Sequence, residues 1–161
     1  MSAPAQDSTG ITLRSARATD LPAVLGLLEA AGLPRDGVAE GLVRLCLAEV
    51  DGRLAGVAGL ERYGTSALLR SVAVAEDQRG RKVAGRLVQR MLEEARDESI
   101  HDVYLRTTTA EGYFPRFGFE KVDQAEVPEA VKASVEFQGA CPSSAACMVR
   151  HLLPGESAAG V

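Results

Sequence analysis

Four cationic side chains, Arg79, Arg81, Lys82 and Arg86, crowd the ten residues DQRGRKVAGR at 77–86. A strand-like run ending at Val74 leads into this stretch, and a helix-like run starts at about Gly80. The first backbone N–H groups of a helix have no intrahelical acceptor and stand at the positive end of its dipole, so such a junction suits phosphate oxygens. Arg79-Gly80 with further cations close by favours a pyrophosphate over a carboxylate. The spacing is neither G-x-x-x-x-G-K-[ST] nor G-x-G-x-x-G, which argues against a triphosphate loop and a dinucleotide site. From the charges alone a second reading stays open, a solvated basic face opposite an apolar helical stripe.

The elements that must position these residues follow from periodicity. ITLRSARATD alternates and then offers Thr19 or Asp20 as a helix cap with Pro22 just inside, after which Leu21, Val24, Leu25 and Leu28 recur at helical spacing. VRLCLAEVDGRLAGVAGLERYG is two strand-like runs joined at Asp51-Gly52, a dipeptide that tolerates positive φ at both positions and so favours a tight hairpin. TSALLRSVAVA is long and mostly apolar, as expected of a central strand covered on both faces. Val83, Leu87, Met91 and Ala95 then mark one stripe of a helix ending near Asp97. DVYLRTT is a further strand, AEGYFPRFG a short helix stopped at Gly118, FEKV a strand, VPEAVKASVEF a short helix and ACMVRHLL a closing strand. The order predicts a single α/β (α+β) domain around a mixed sheet, with no repeat and no linker. Tails are expected at 1–10 and 154–161, leaving 11–153 as the domain.

Bulk composition narrows the function classes. A chain of 161 residues is long enough for one domain with a substantial core. Its net charge of -4 argues against nucleic acid or an anionic membrane as partner and makes the basic stretch a local feature. No apolar run approaches a membrane span. Cys46, Cys141 and Cys147 are odd in number, lack C-x-x-C spacing and follow no signal-like apolar segment, which fits a reducing cytoplasm. Cys141 and Cys147 match no metal spacing and read as packed or free thiols, so no metal is expected.

VAVAEDQRGRKVAGRLV resembles the acetyl-coenzyme-A-binding motif of the GNAT superfamily of N-acetyltransferases, with strand, turn, Arg-Gly and helix in register. YLRTTTAEGYFPRFGFEKV is similar to a later GNAT segment, and the likeness spans about residues 11–152. LLRSVAV, LRTTTAEGYFPRFGF and the C-terminal VPEAVKASVEFQGACPSSAACM resemble the small acetyltransferases associated with arsenic resistance. LRTTTAEGYFPRFGF is also similar to the acetyltransferase domain of N-acetylglutamate synthases. The resemblance implies a sheet split open at a cofactor cleft and acetyl-CoA as acetyl donor. It implies that backbone N–H groups of Arg79, Gly80, Arg81, Lys82, Val83 and Ala84 hold the pyrophosphate. Val72, Ala73 and Val74 would line the pantetheine arm, with the Val72 N–H on the thioester oxygen as an oxyanion donor. Thr107 and Phe114 would complete the cofactor side. Two departures stand out: Lys82 replaces the second glycine of R-G-x-G, where an ordinary helical φ would accommodate it, and Phe114 stands where many members carry a tyrosine acid. Tyr113, one residue early, is the remaining candidate acid.

The resemblance also orders the acceptor side. Strand alternation puts Leu68, Arg70, Val72 and Val74 on one face, which in this family borders the acceptor. Arg70 is then a bidentate partner for a substrate anion, or else half of a salt bridge to Glu61 or Glu49. Glu61 is the candidate base for the amine proton, or else an exposed edge carboxylate beside Arg62. Thr107 and Thr108 offer hydroxyls to the acceptor. The expected activity is direct transfer of acetyl from acetyl-CoA to a small amino-acid-like amine, glutamate-like or arsenic-containing. The alternatives are a protein N-terminal or lysine acetyltransferase and a non-catalytic CoA-binding module. The expected partner is the small-molecule acceptor, with a homodimer left open.

Overall fold

The computed structural model describes residues 10–33, 35–38, 43–79, 82–107, 110–134 and 145–152. One seven-stranded sheet runs through it in the order β1-β2-β3-β4-β5-β7-β6, with β1 Ile11–Ser15, β2 Arg44–Val50, β3 Arg53–Tyr63, β4 Ser66–Val74, β5 Asp102–Thr107, β6 Glu120–Lys121 and β7 Ala146–His151. Among the described residues three helices accompany them: α1 Leu21–Ala30, α2 Val83–Asp97 and the one-turn α3 Glu129–Lys132. The sheet is mixed, since β4 and β5 are parallel while β1–β2, β5–β7 and β6–β7 are antiparallel. The expected order of strands and of the other helices holds. The expected helix near Tyr113 is instead a 3-10 turn over Phe114–Phe117, closed by Gly118 at φ 87. The tails expected at 1–10 and 154–161 lie outside the described residues, apart from Gly10.

The described residues fall into two compact units, drawn from 1–59 with 71–91 and from 60–70 with 92–161. In the first, Asp51 and Gly52 take φ 54 and 76, the paired positive values of a tight hairpin turn between β2 and β3. Val24 and Leu28 of α1 pack on Leu47, Val57 and Ala73. Arg14 on β1 holds Asp20 at 2.8 Å and Glu49 on β2 at 3.0 Å, which ties the start of α1 to the sheet edge. Gly56 of β3 lies under α2: a Cβ there would stand 2.9 Å from Val83 Cγ1 and 3.0 Å from Leu87 Cδ1. The absent side chain lets helix and strand approach closely.

In the second unit Leu68, Tyr104 and Val149 form a sheet face covered by Val127 and by Val131 of α3. The parallel β4–β5 ladder comprises Ser66–Asp102, Ala67–Val103 and Leu68–Tyr104. His151 holds Asp102 at 2.6 Å at the start of β5, with the His151 ring exposed.

Candidate active site

Chain direction in β4 changes character at Ser71, which sits at φ 60 inside the strand. A left-handed residue in a strand acts as a bulge and interrupts the alternation of side chains. The single face expected for Leu68, Arg70, Val72 and Val74 therefore does not carry through Ser71. Beyond it Ala73 enters the core with Val57, while Val72 and Val74 are only half-buried. Ala75 donates its N–H to Ala55 O of β3 at 2.8 Å. By alternation the N–H groups of Val72 and Val74 point to the edge of β4 that faces away from β3.

After β4 a 3-10 turn over Glu76–Gln78 leads to Arg79, which is extended and exposed and whose N–H turns back on Glu76 O at 3.4 Å. Gly80 and Arg81 lie outside the described residues. Helix α2 starts at Val83 rather than at about Gly80, and Arg86 N–H to Lys82 O at 3.2 Å is its opening bond. The N–H groups of Val83, Ala84 and Gly85 precede that bond and have no acceptor within the helix. Lys82 is not helical as expected. Its φ is 65, the left-handed region, because the chain must reverse there to enter α2. The second glycine of R-G-x-G thus has a backbone reason, and Lys82 meets the same requirement at a cost.

Arg70 and Glu61 realise the salt-bridge reading. Arg70 Nη1 donates to Glu61 Oε2 at 2.7 Å, with both residues 4% exposed. Glu61 is therefore no edge carboxylate beside Arg62, which pairs with Glu98 at 3.2 Å, and Glu49 is taken by Arg14. Tyr63 Oη donates to Glu61 Oε1. Burial, and then the bond to Glu61, push the Tyr63 phenol up to about 12, while a hydrogen bond with Ser134 pulls the other way. Both carboxylate oxygens of Glu61 are thus engaged.

The remaining candidates have structural partners. Thr107 Oγ1 accepts the Ala110 N–H at 3.0 Å, and Thr108 lies outside the described residues. Phe114 is buried edge-on to Phe119 and Tyr113, and the Tyr113 ring also meets Phe117 and lies under Arg116 at 4.3 Å. Burial pushes the Tyr113 phenol up. Cys147 is buried, which raises its thiol pKa against the opposing pull of Arg106, and Cys141 lies outside the described residues. No group of metal-ligating side chains occurs among the described residues. No described helix is long and apolar enough to cross a membrane.

Sequence reasoning missed Ser71, Gly56, Tyr63 and Ser134. Strand parity with Glu61 was available as a signal for Tyr63. Nothing local marks Ser134, which reaches the network only through the packing of α3.

The acetyltransferase (GNAT) domain family matches residues 42–121, about half of the chain. N-acetylglutamate synthase from Neisseria gonorrhoeae, solved with coenzyme A and L-arginine, superposes with a TM-score of 0.75 at 20% identity. That match covers 88% of this chain and 33% of the synthase, so the chain spans about a third of that protein's length. A Mycobacterium tuberculosis protein solved with CoA gives a TM-score of 0.73 at 22% identity over 88% of this chain and 99% of its own. The PaiA N-acetyltransferase of Thermoplasma acidophilum, solved with coenzyme A, gives 0.66 at 13% identity over 88% and 99%. Residues 42–121 thus form an acetyltransferase (GNAT) domain, and the solved acetyltransferase structures share the fold of the chain.

Proposed function

We propose that the protein is an acetyl-CoA-dependent N-acetyltransferase whose acceptor is a small amine carrying an anionic group, of the amino-acid-like kind. The observation that carries this reading is the β4–α2 junction, where left-handed Lys82 turns the chain so that the N–H groups of Val83, Ala84 and Gly85 open outward at a helix start. That arrangement fits a diphosphate, and Arg79 and Lys82 add positive charge beside it. The outward N–H groups of Val72 and Val74 fit an amide-bearing arm, and the Val72 N–H serves as donor to the oxygen that gains charge. Acetyl-CoA supplies a thioester carbonyl: the amine forms the C–N bond, the C–S bond breaks, and the amine proton ends on the thiolate or in water. Phe114 has no proton to give, and CoA thiol, with a pKa near the usual ~8.5 of a thiol, leaves without a side-chain acid.

Arg70 is the residue assigned to the acceptor's anion, with Glu61 holding its guanidinium. A glutamate-like or arsenic-containing amino acid, suggested by the sequence likenesses, fits this chemistry. The test is thiol release from acetyl-CoA with a panel of free amino acids, their carboxamides, and lysine and N-terminal peptides. Release with free acids above their carboxamides is expected in the parent, and loss of that preference in Arg70→Ala. Equal discrimination by both proteins would remove Arg70 from acceptor recognition, and release with peptides alone would make the acceptor a protein. Glu61→Gln separates two roles: a lost base lowers kcat at unchanged KM, whereas a lost tether raises acceptor KM.

A further inference from the structure

Next to Arg70 the second unit holds a chain of polar groups with a defined donor order, buried at Glu61 and Ser134 and half-buried at Tyr63. Arg70 Nη1 donates to one oxygen of Glu61 and Tyr63 Oη donates to the other. The bond to Glu61 favours the protonated phenol, as expected when Tyr63 gives its hydrogen. The Tyr63 hydroxyl has a single hydrogen and gives it to Glu61 Oε1, so the Ser134 hydroxyl that bonds the same phenol oxygen is the donor there. The order is therefore Ser134 to Tyr63 to Glu61, with Arg70 closing on the same carboxylate. Ser134 is 3% exposed and stands two residues past the end of α3. Val131 of that helix is fully buried against Leu68, Tyr104 and Val149, so Ser134 is held by a packed helix.

We propose that Tyr63 is a positioning residue for acceptor recognition: by holding Glu61, with Ser134 holding it in turn, it fixes the fork of the Arg70 guanidinium that reads the acceptor's anion. This rests on the assignment of Arg70 to that anion. A guanidinium discriminates by the direction of its fork, and a carboxylate free to rotate would let the fork turn with it. A hydroxyl that both accepts and donates between two buried groups removes that rotation. Tyr63 touches neither reacting atoms nor cofactor in this scheme and acts through Glu61 alone.

The test compares Tyr63→Phe and Ser134→Ala with the parent, using one active amino acid and its carboxamide. Tyr63→Phe is expected to raise KM for the acid about tenfold, with KM for acetyl-CoA and kcat for the carboxamide changed less than twofold. Ser134→Ala should shift the same parameter in the same direction by a smaller factor, and it serves as the readout if Tyr63→Phe does not fold. The Arg70 Nε–H resonance, identified by its loss in Arg70→Lys, should shift and exchange faster in Tyr63→Phe while other arginine resonances stay put. If the parent prefers the acid and both variants keep that preference with an unmoved Arg70 resonance, Tyr63 is a packing residue and the inference fails. A parent without any preference for the acid would overturn the assignment of Arg70 itself, and this inference with it.

Discussion

Arg70 and Glu61, neighbours across the β3–β4 hairpin, close a 2.7 Å ion pair with side chains 1% and 5% exposed. Removing one partner of such a pair leaves the other charged and desolvated, which costs about 3–5 kcal/mol. Glu61→Ala should therefore lower the urea midpoint steeply. The double replacement Arg70→Met with Glu61→Leu should recover most of the loss while abolishing acid preference. A loss below about 1 kcal/mol in Glu61→Ala would mean that water reaches the pair.

Lys82 holds a left-handed φ of 65 at the entry to α2. Lys82→Gly relieves that backbone cost and should raise stability by about 1 kcal/mol in denaturant unfolding. The same change removes a cation near the proposed diphosphate, so CoA binding by calorimetry should weaken by about 1 kcal/mol. Tighter binding would show that the lysine obstructs the site.

Gly56 leaves no room for a side chain. Its Cβ would meet Val83 Cγ1 at 2.9 Å, Ala73 O at 3.0 Å and Leu87 Cδ1 at 3.0 Å, and the carbonyl belongs to a strand that cannot yield cheaply. Gly56→Ala should cost about 1–3 kcal/mol by overpacking and displace the start of α2, lowering CoA affinity as well as Tm. Unchanged affinity in a folded Gly56→Ala protein would show that the helix start does not depend on this contact.

Tyr113 is clasped by Phe114, Phe117 and Arg116, and Arg116 Nε also donates to its carbonyl at 2.9 Å. The ring has a packing role, so Tyr113→Phe should keep most of kcat. A hundredfold loss at unchanged CoA affinity and folding would make Tyr113 the acid for the thiolate.

Asp20 accepts from both Arg14 and the Arg17 N–H, at 2.8 and 2.7 Å, and Arg14 above all holds its carboxyl well below the usual carboxylate range. A depressed carboxylate contributes stability that is full above its unfolded pKa, about 3.9, and fades as pH falls below that toward the folded value. Asp20→Asn should thus be less stable than the parent at pH 7, and the gap should narrow progressively below about pH 4. A gap independent of pH would mean that the side chain acts through shape alone.

Periodicity and local turn chemistry were legible without coordinates. The stripe Val83, Leu87, Met91, Ala95 has the spacing of one helix face, and Asp51-Gly52 favours a tight turn between apolar runs. Each of those features depends on residues close in the chain, where sterics alone choose the conformation. The passage from β4 to α2 was legible for the same reason, as strand and helix follow one another within a few residues. The conformation of Lys82 was not, because its left-handed φ answers to where α2 must lie against Gly56, a strand away. Ser71 was likewise hidden: nothing about a serine announces a bulge, and parity reasoning ran straight through it. The partner of Arg70 stayed open between two carboxylates, and only tertiary structure separated them, giving Glu49 to Arg14 and Glu61 to Arg70. Burial then added Tyr63 and Ser134, since a desolvated carboxylate needs donors wherever the packed helix brings them. Sequence determined the elements and the strand-to-helix order from β4 to α2, while side-chain pairing in the network around Glu61 was decided by long-range packing, which has no local signature.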